Sequence, residues 1–171
     1  MMRIARLITT VLLIVTATIG CASGPRGTES PLTPPTKVEL YRIEGIHMEP
    51  SLHVGDYVAV DRSAYANHRP ERGDIVMYGR AENQLDIQRV IGLPGETIEV
   101  RAGKAWINGA ALDEPYLMNP IRYDLPARSI EADHYFVLGD NRNNSQDSHS
   151  FGAIPIGDIV GRAVPIDSNQ K

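Results

Sequence analysis

From Val38 onward, short apolar runs alternate with turn residues at regular intervals, a pattern that favours strands over helices. Val38 to Ile46 alternates imperfectly and predicts a first strand. Asp56 to Asp61 (DYVAVD) and Asp74 to Tyr78 (DIVMY) predict short strands, each entered through a Gly-Asp turn. Leu85 to Leu93 predicts a longer strand that stops at Pro94-Gly95. Thr97 to Val100 and Ala105 to Ile107 flank a hairpin turn at Ala102-Gly103-Lys104, and Asn108-Gly109 begins a further turn. His134 to Gly139 (HYFVLG) predicts a buried strand and Ile159 to Val164 a last one. No helical periodicity is sustained beyond a turn after Glu49-Pro50, and no repeat is present. The expected fold is mainly β, built from coiled mixed or antiparallel sheets with few short helices.

The segment before Val38 has a different character. Arg3 and Arg6 give a positive start, and Leu7 to Gly20 is an uncharged stretch of signal-peptide length, short of the ~20 residues that cross a bilayer as a helix. It ends in Thr18-Ile19-Gly20-Cys21, which is similar to the acylation site of bacterial lipoproteins, although Thr18 stands where leucine is usual. Residues 1–20 are therefore expected to be a lipoprotein-type signal peptide, with an uncleaved anchor helix as the alternative. Residues 21–37 would form an acylated Cys21 and a tether, since Ala22 to Lys37 (ASGPRGTESPLTPPTK) is too polar and too rich in Pro and Gly to bury a core. The domain is expected over residues 38–167, followed by a short tail at 168–171. Either form of the N-terminus implies a protein exported to the outer side of a membrane and held there.

Composition narrows the function classes. A net charge of −4 on 171 residues argues against non-specific nucleic-acid binding, which needs a basic face. A single cysteine excludes an intramolecular disulfide. His47 and His53, with Glu49 and Asp56 nearby, lack the spacing of a compact zinc motif, and no phosphate-cradling glycine loop is present, so neither metal nor cofactor is expected.

Four blocks carry the chemistry. They are Gly45-Ile46-His47-Met48-Glu49-Pro50-Ser51-Leu52 with Gly55-Asp56; Gly73-Asp74-Ile75-Val76; Gln88-Arg89-Val90-Ile91-Gly92-Leu93-Pro94-Gly95-Glu96; and Gly139-Asp140-Asn141-Arg142-Asn143-Asn144-Ser145-Gln146-Asp147-Ser148. In order, spacing and content they resemble the type I signal peptidases, membrane serine proteases that remove signal peptides from exported proteins. The resemblance runs from about Val38 to Pro165 and includes Asn108 to Leu117 (NGAALDEPYL).

The resemblance implies that His47 stands where the family has its nucleophilic serine and Gln88 where it has its general-base lysine. A serine hydroxyl needs a neighbouring base to become nucleophilic, and lysine serves only when burial drives it towards neutrality. The neutral amide of Gln88 cannot take a proton, and loss of either member of such a pair costs roughly 10⁴–10⁶ in rate. The only other lysines are Lys37, Lys104 and Lys171, none of them in an apolar strand. Ser51 reads as turn support rather than a relocated nucleophile. By the same resemblance Gly45 borders an oxyanion hole completed by the His47 N–H, and Ser145, which orients the family's lysine, is expected to bond Gln88. Arg89 and Asp147 belong to a supporting ion-pair cluster in which His149 replaces arginine. Tyr41, Ile43 and Ile87 lie near pockets for an extended peptide. These readings imply a non-cleaving protein that binds or scaffolds exported proteins or signal-peptide-like segments. The alternatives are a processing peptidase with an altered mechanism and a purely structural lipoprotein.

Overall fold

The structure, a computed structural model, describes residues 37–81 and 84–166. The signal segment, Cys21 and most of the tether fall outside the described residues, as does the tail. Two antiparallel sheets carry the chain. The larger contains β1 (Val38–Arg42), β2 (Tyr57–Asp61), β3 (Ile75–Ala81), β4 (Gln84–Gly92), β9 (His134–Leu138), β10 (Ile154–Pro155) and β11 (Ile159–Pro165), in the order β1-β2-β11-β3-β4-β9-β10. The smaller contains β5 (Thr97–Arg101), β6 (Lys104–Ile107), β7 (Ala110–Ala111) and β8 (Leu125–Ser129), in the order β7-β6-β5-β8. Every strand pairing is antiparallel. Among the described residues helix is limited to short pieces, including a 3-10 turn at Arg142–Asn144 and α1 (Ser148–Phe151).

Burial on both faces explains why the middle of the larger sheet reads as continuous apolar sequence. On β3, Ile75 and Met77 join a core with Tyr41, Ile43, Met48, Leu52, Val58, Val60 and Ile87. Val76 and Tyr78 point the other way, into a second core with Val90, Tyr135, Val137 and Ile154. A third core, centred on Ile91, Ile98, Val100, Phe136 and Leu138, joins the smaller sheet to β4 and β9. The register of β4 against β9 shifts between Val90 and Gly92. A Cβ at Gly92 would lie 2.3 Å from Ile130 Cδ1 and 3.0 Å from Phe136 Cβ, so a larger residue there would force the Ile130 side chain to move and press on β9.

Two expectations change in detail. The first strand ends at Arg42 rather than Ile46, although Ile43 still bonds across to Asp56 and Gly55 (both 2.8 Å). Beyond it the chain leaves the sheet through Gly45 and turns over residues 47–51, where the Leu52 N–H reaches the Met48 carbonyl at 3.0 Å. Strands β8 and β10 carry no sequence signal. Only Leu125 of β8 is buried, and Pro126 is tolerated because β8 is a sheet edge.

Candidate active site

The site forms where the turn carrying His47 meets β4 and the loop after β9. Gly139 makes the approach possible, because a Cβ there would fall 2.5 Å from the His47 carbonyl and 2.4 Å from Ser145 Oγ. Asn141 then clamps the turn: its N–H donates to the His47 carbonyl (3.0 Å) and its Nδ2 to the Ile46 carbonyl (3.1 Å). The backbone is thus held from two sides while His47 itself is buried.

The His47 imidazole is committed to β4. Nε2 lies 2.9 Å from the Ile87 carbonyl and 3.3 Å from Asp86 Oδ1. Both are acceptors, so Nε2 carries the hydrogen, an assignment made from the bonding pattern. Asp86 is held in turn by the Ile87 N–H (2.9 Å), and Arg80 Nη1 lies 3.7 Å from its other oxygen. The remaining nitrogen, His47 Nδ1, is buried with no partner among the described residues.

Gln88 is fully buried. Its Nε2 donates to the Gln146 carbonyl at 3.0 Å and lies 3.3 Å from Ser145 Oγ, while its Oε1 has no protein partner. Among the described residues no hydrogen bond joins His47 to Gln88. His47 bonds the Ile87 carbonyl and Gln88 the Gln146 carbonyl, so each side chain is held by separate backbone.

The supporting residues are fully engaged by contrast. Arg89 makes a two-pronged pair with Asp140 (Nε–Oδ1 2.8 Å, Nη2–Oδ2 2.6 Å) and also donates to the Gly73 carbonyl (2.9 Å) and Ser51 Oγ (3.2 Å). Its guanidinium lies 4.2 Å from the centre of the Tyr116 ring. Asp147 is not its partner. Asp147 accepts from the Gly139 N–H (3.0 Å) and pairs with His149 Nδ1 (2.6 Å), so the expected single cluster is two separate groups. Behind them Arg142 and Glu114 form a buried pair. Burial holds the Tyr116 and Tyr123 phenols well above their ordinary value, so both stay neutral and pack as aromatic walls.

Gly45 is buried beside the turn. Tyr41, Ile43 and Ile87 are also buried, and their side chains fill the core beneath β1 and β4, forming a packed floor rather than an open pocket wall. Sequence reasoning missed Asp86, Asp140, Glu114 and the Gln146 carbonyl. Asp86 had a signal, being the one carboxylate inside β4. Among the described residues no three His, Cys, Asp or Glu side chains come together to hold a metal, and no helix is long and apolar enough to cross a membrane.

Comparison with known proteins places these features in context. The family described as "Signal peptidase, peptidase S26" matches residues 33–166. The signal peptidase I of Leptolyngbya laminosa is 44% identical over 126 residues, covering 68% of this chain and 62% of that protein. The probable signal peptidase I-2 of Synechocystis sp. is 42% identical over 132 residues, covering 73% and 61%. The chain thus spans about six tenths of the length of these relatives. Among solved structures, a signal peptidase I from Enterococcus faecalis V583 aligns with a TM-score of 0.51 at 34% identity, covering 55% of this chain and 96% of that one.

Proposed function

Because the chain belongs to the type I signal peptidase family, we propose that it keeps the family's scaffold and works by binding. In this reading His47 and Gln88 occupy the nucleophile and base positions. The protein holds extended segments of exported proteins on the outer side of a membrane without cutting them. Cys21 supplies a lipid anchor.

One observation carries this reading most strongly. The His47 ring donates its Nε2 hydrogen to β4 and leaves only a buried Nδ1, while Gln88 presents an amide to the Gln146 carbonyl. Neither group can take a proton from the other, and no lysine of the described chain is buried to replace the missing base. Lys37 is 72% exposed and Lys104 lies on the surface. A nucleophile without a base loses the chemistry but not the surrounding surface.

The test is an NMR titration of the full chain in detergent with an extended peptide bearing small residues, followed by mass spectrometry of the peptide. Shifts of the backbone amides along the edge strand β1, around Tyr41 and Ile43, and around Ile87 beside His47, with the peptide intact, support a binder. Absence of shifts at saturating peptide contradicts it and favours a purely structural lipoprotein. Metabolic lipid labelling that survives Cys21→Ser would exclude the anchor.

A second reading, an active peptidase with an altered mechanism, draws on Asp86. Its Oδ1 lies 3.3 Å from His47 Nε2, an acid beside an imidazole. That reading expects His47→Ala to abolish cleavage and Gln88→Ala only to reduce it.

A further inference from the structure

At α1, beyond the loop that follows β9, Asp147, His149 and Ser150 form a second set of groups with no hydrogen bond to His47 or Gln88. Asp147 caps this one-turn helix. Its side chain accepts from the His149 backbone N–H at 3.1 Å, and its second oxygen is fixed by the Gly139 N–H at 3.0 Å. The carboxylate is fully buried and cannot turn away. Asp147 Oδ1 lies 2.6 Å from His149 Nδ1, and a carboxylate oxygen can only accept, so Nδ1 carries the hydrogen and the lone pair of the neutral ring sits on Nε2. Ser150 Oγ lies 3.0 Å from that Nε2 and is exposed to solvent. The imidazole is held flat against Tyr123, with ring centres 4.3 Å apart and planes at 19°.

We infer that Ser150, His149 and Asp147 form a nucleophilic serine site that accepts acyl groups from activated esters. The inference is independent of the reading of His47 and Gln88. It stands on the geometry that makes a hydroxyl reactive: the nucleophile within hydrogen-bond reach of a base, and the base oriented by a third group. Here all three lie within four consecutive residues, because one helical turn capped by Asp147 brings the imidazole back over its own cap.

In the reaction Ser150 Oγ attacks the ester carbonyl carbon while its proton passes to His149 Nε2. The carbon–oxygen bond to the leaving group then breaks, and the departing alkoxide or phenoxide takes that proton. Water, deprotonated by the same nitrogen, releases the acid and restores the serine. Activated esters are the matching class because the turn supplies a nucleophile and a base. An amide would also demand strong stabilisation of its oxyanion and protonation of a poor leaving group. Asp147 acts only through His149 and is a positioning residue.

The site can be tested with a fluorophosphonate probe on the full chain, where the oxygen–phosphorus bond forms as fluoride leaves. Intact mass and peptide mapping should find one adduct, on Ser150, formed by the folded chain and not by the heat-denatured chain. Ser150→Ala should remove it. His149→Ala should slow labelling by roughly 10²-fold or more, and added imidazole should restore part of the rate. Asp147→Asn, which keeps the side chain's size but gives the ring a neutral partner, should slow labelling while the circular dichroism of the folded chain is unchanged, a split that a merely structural role would not produce. Labelling of Ser150 no faster than in the denatured chain, or labelling unchanged by His149→Ala, would overturn the assignment. If His149→Ala does not fold, the folded-against-denatured comparison on the natural chain decides.

Discussion

Gln88 and Arg89 are neighbours on β4, yet they meet opposite circumstances. Arg89 spends its donors on Asp140, Gly73 and Ser51 and covers a Tyr116 ring. Gln88 leaves Oε1 without a partner, and His47 beside it leaves Nδ1 without one. An unpaired buried polar atom costs roughly 1–3 kcal/mol, and a charged pair stripped of one member costs more. Arg89 is a charged group of the supporting frame with every guanidinium nitrogen engaged, whereas the centre at His47 and Gln88 holds two of the four unpartnered buried side-chain atoms among the described residues, the other two being the Tyr78 and Tyr123 hydroxyls. The frame accounts for stability. The centre is where a ligand, or a changed residue, can still gain hydrogen bonds.

The widest way to break the frame is alkali. Burial raises the phenols of Tyr65, Tyr78, Tyr116 and Tyr123 above their ordinary value. A raised folded value means that stability is fully present below the unfolded phenol value of about 10 and is lost as pH climbs beyond it. The ultraviolet absorbance of ionised phenol should therefore rise together with loss of circular dichroism. Titration of these phenols in a chain that stays folded would contradict the account. Next in size is Asp140→Ala, which strands the Arg89 charge. It should cost about 3–5 kcal/mol in urea unfolding.

The centre should respond more weakly. His47→Gln keeps most of the bulk and an amide N–H that can reach the Ile87 carbonyl, for an expected loss of about 1–2 kcal/mol by the same measurement. Gln88→Met gives up the bond to Gln146 but also removes the orphaned Oε1, so stability should change by less than about 1 kcal/mol. A loss as large as that of Asp140→Ala would erase the contrast between frame and centre.

Much of this arrangement was legible in the sequence, for physical reasons. Strands buried on both faces announce themselves as unbroken apolar runs, as in β3 and β9. Gly139, inside the fourth block, sits where the loop after β9 meets the His47 turn, and no Cβ fits there without a shift. Other features depended on partners distant in sequence. LPARS at β8 has one buried residue and looks like a loop until β5 pairs with it. Arg89 could be placed in an ion-pair cluster by motif, but its choice of Asp140 over Asp147 depends on β4 lying beside β9, with Arg89 opposite Leu138. The burial of Tyr41, Ile43 and Ile87 as core depends on which way β1 and β4 face, which alternation alone leaves open.

The central claim is that His47 and Gln88 leave a built site without its chemistry. The most direct measurement incubates the full chain in detergent with a preprotein and follows the products by mass spectrometry, beside the variant carrying both His47→Ser and Gln88→Lys. The account predicts no specific cut by the natural chain, and a specific cut by the variant if only the two side chains are missing. Specific cleavage by the natural chain that disappears in His47→Ala would contradict it.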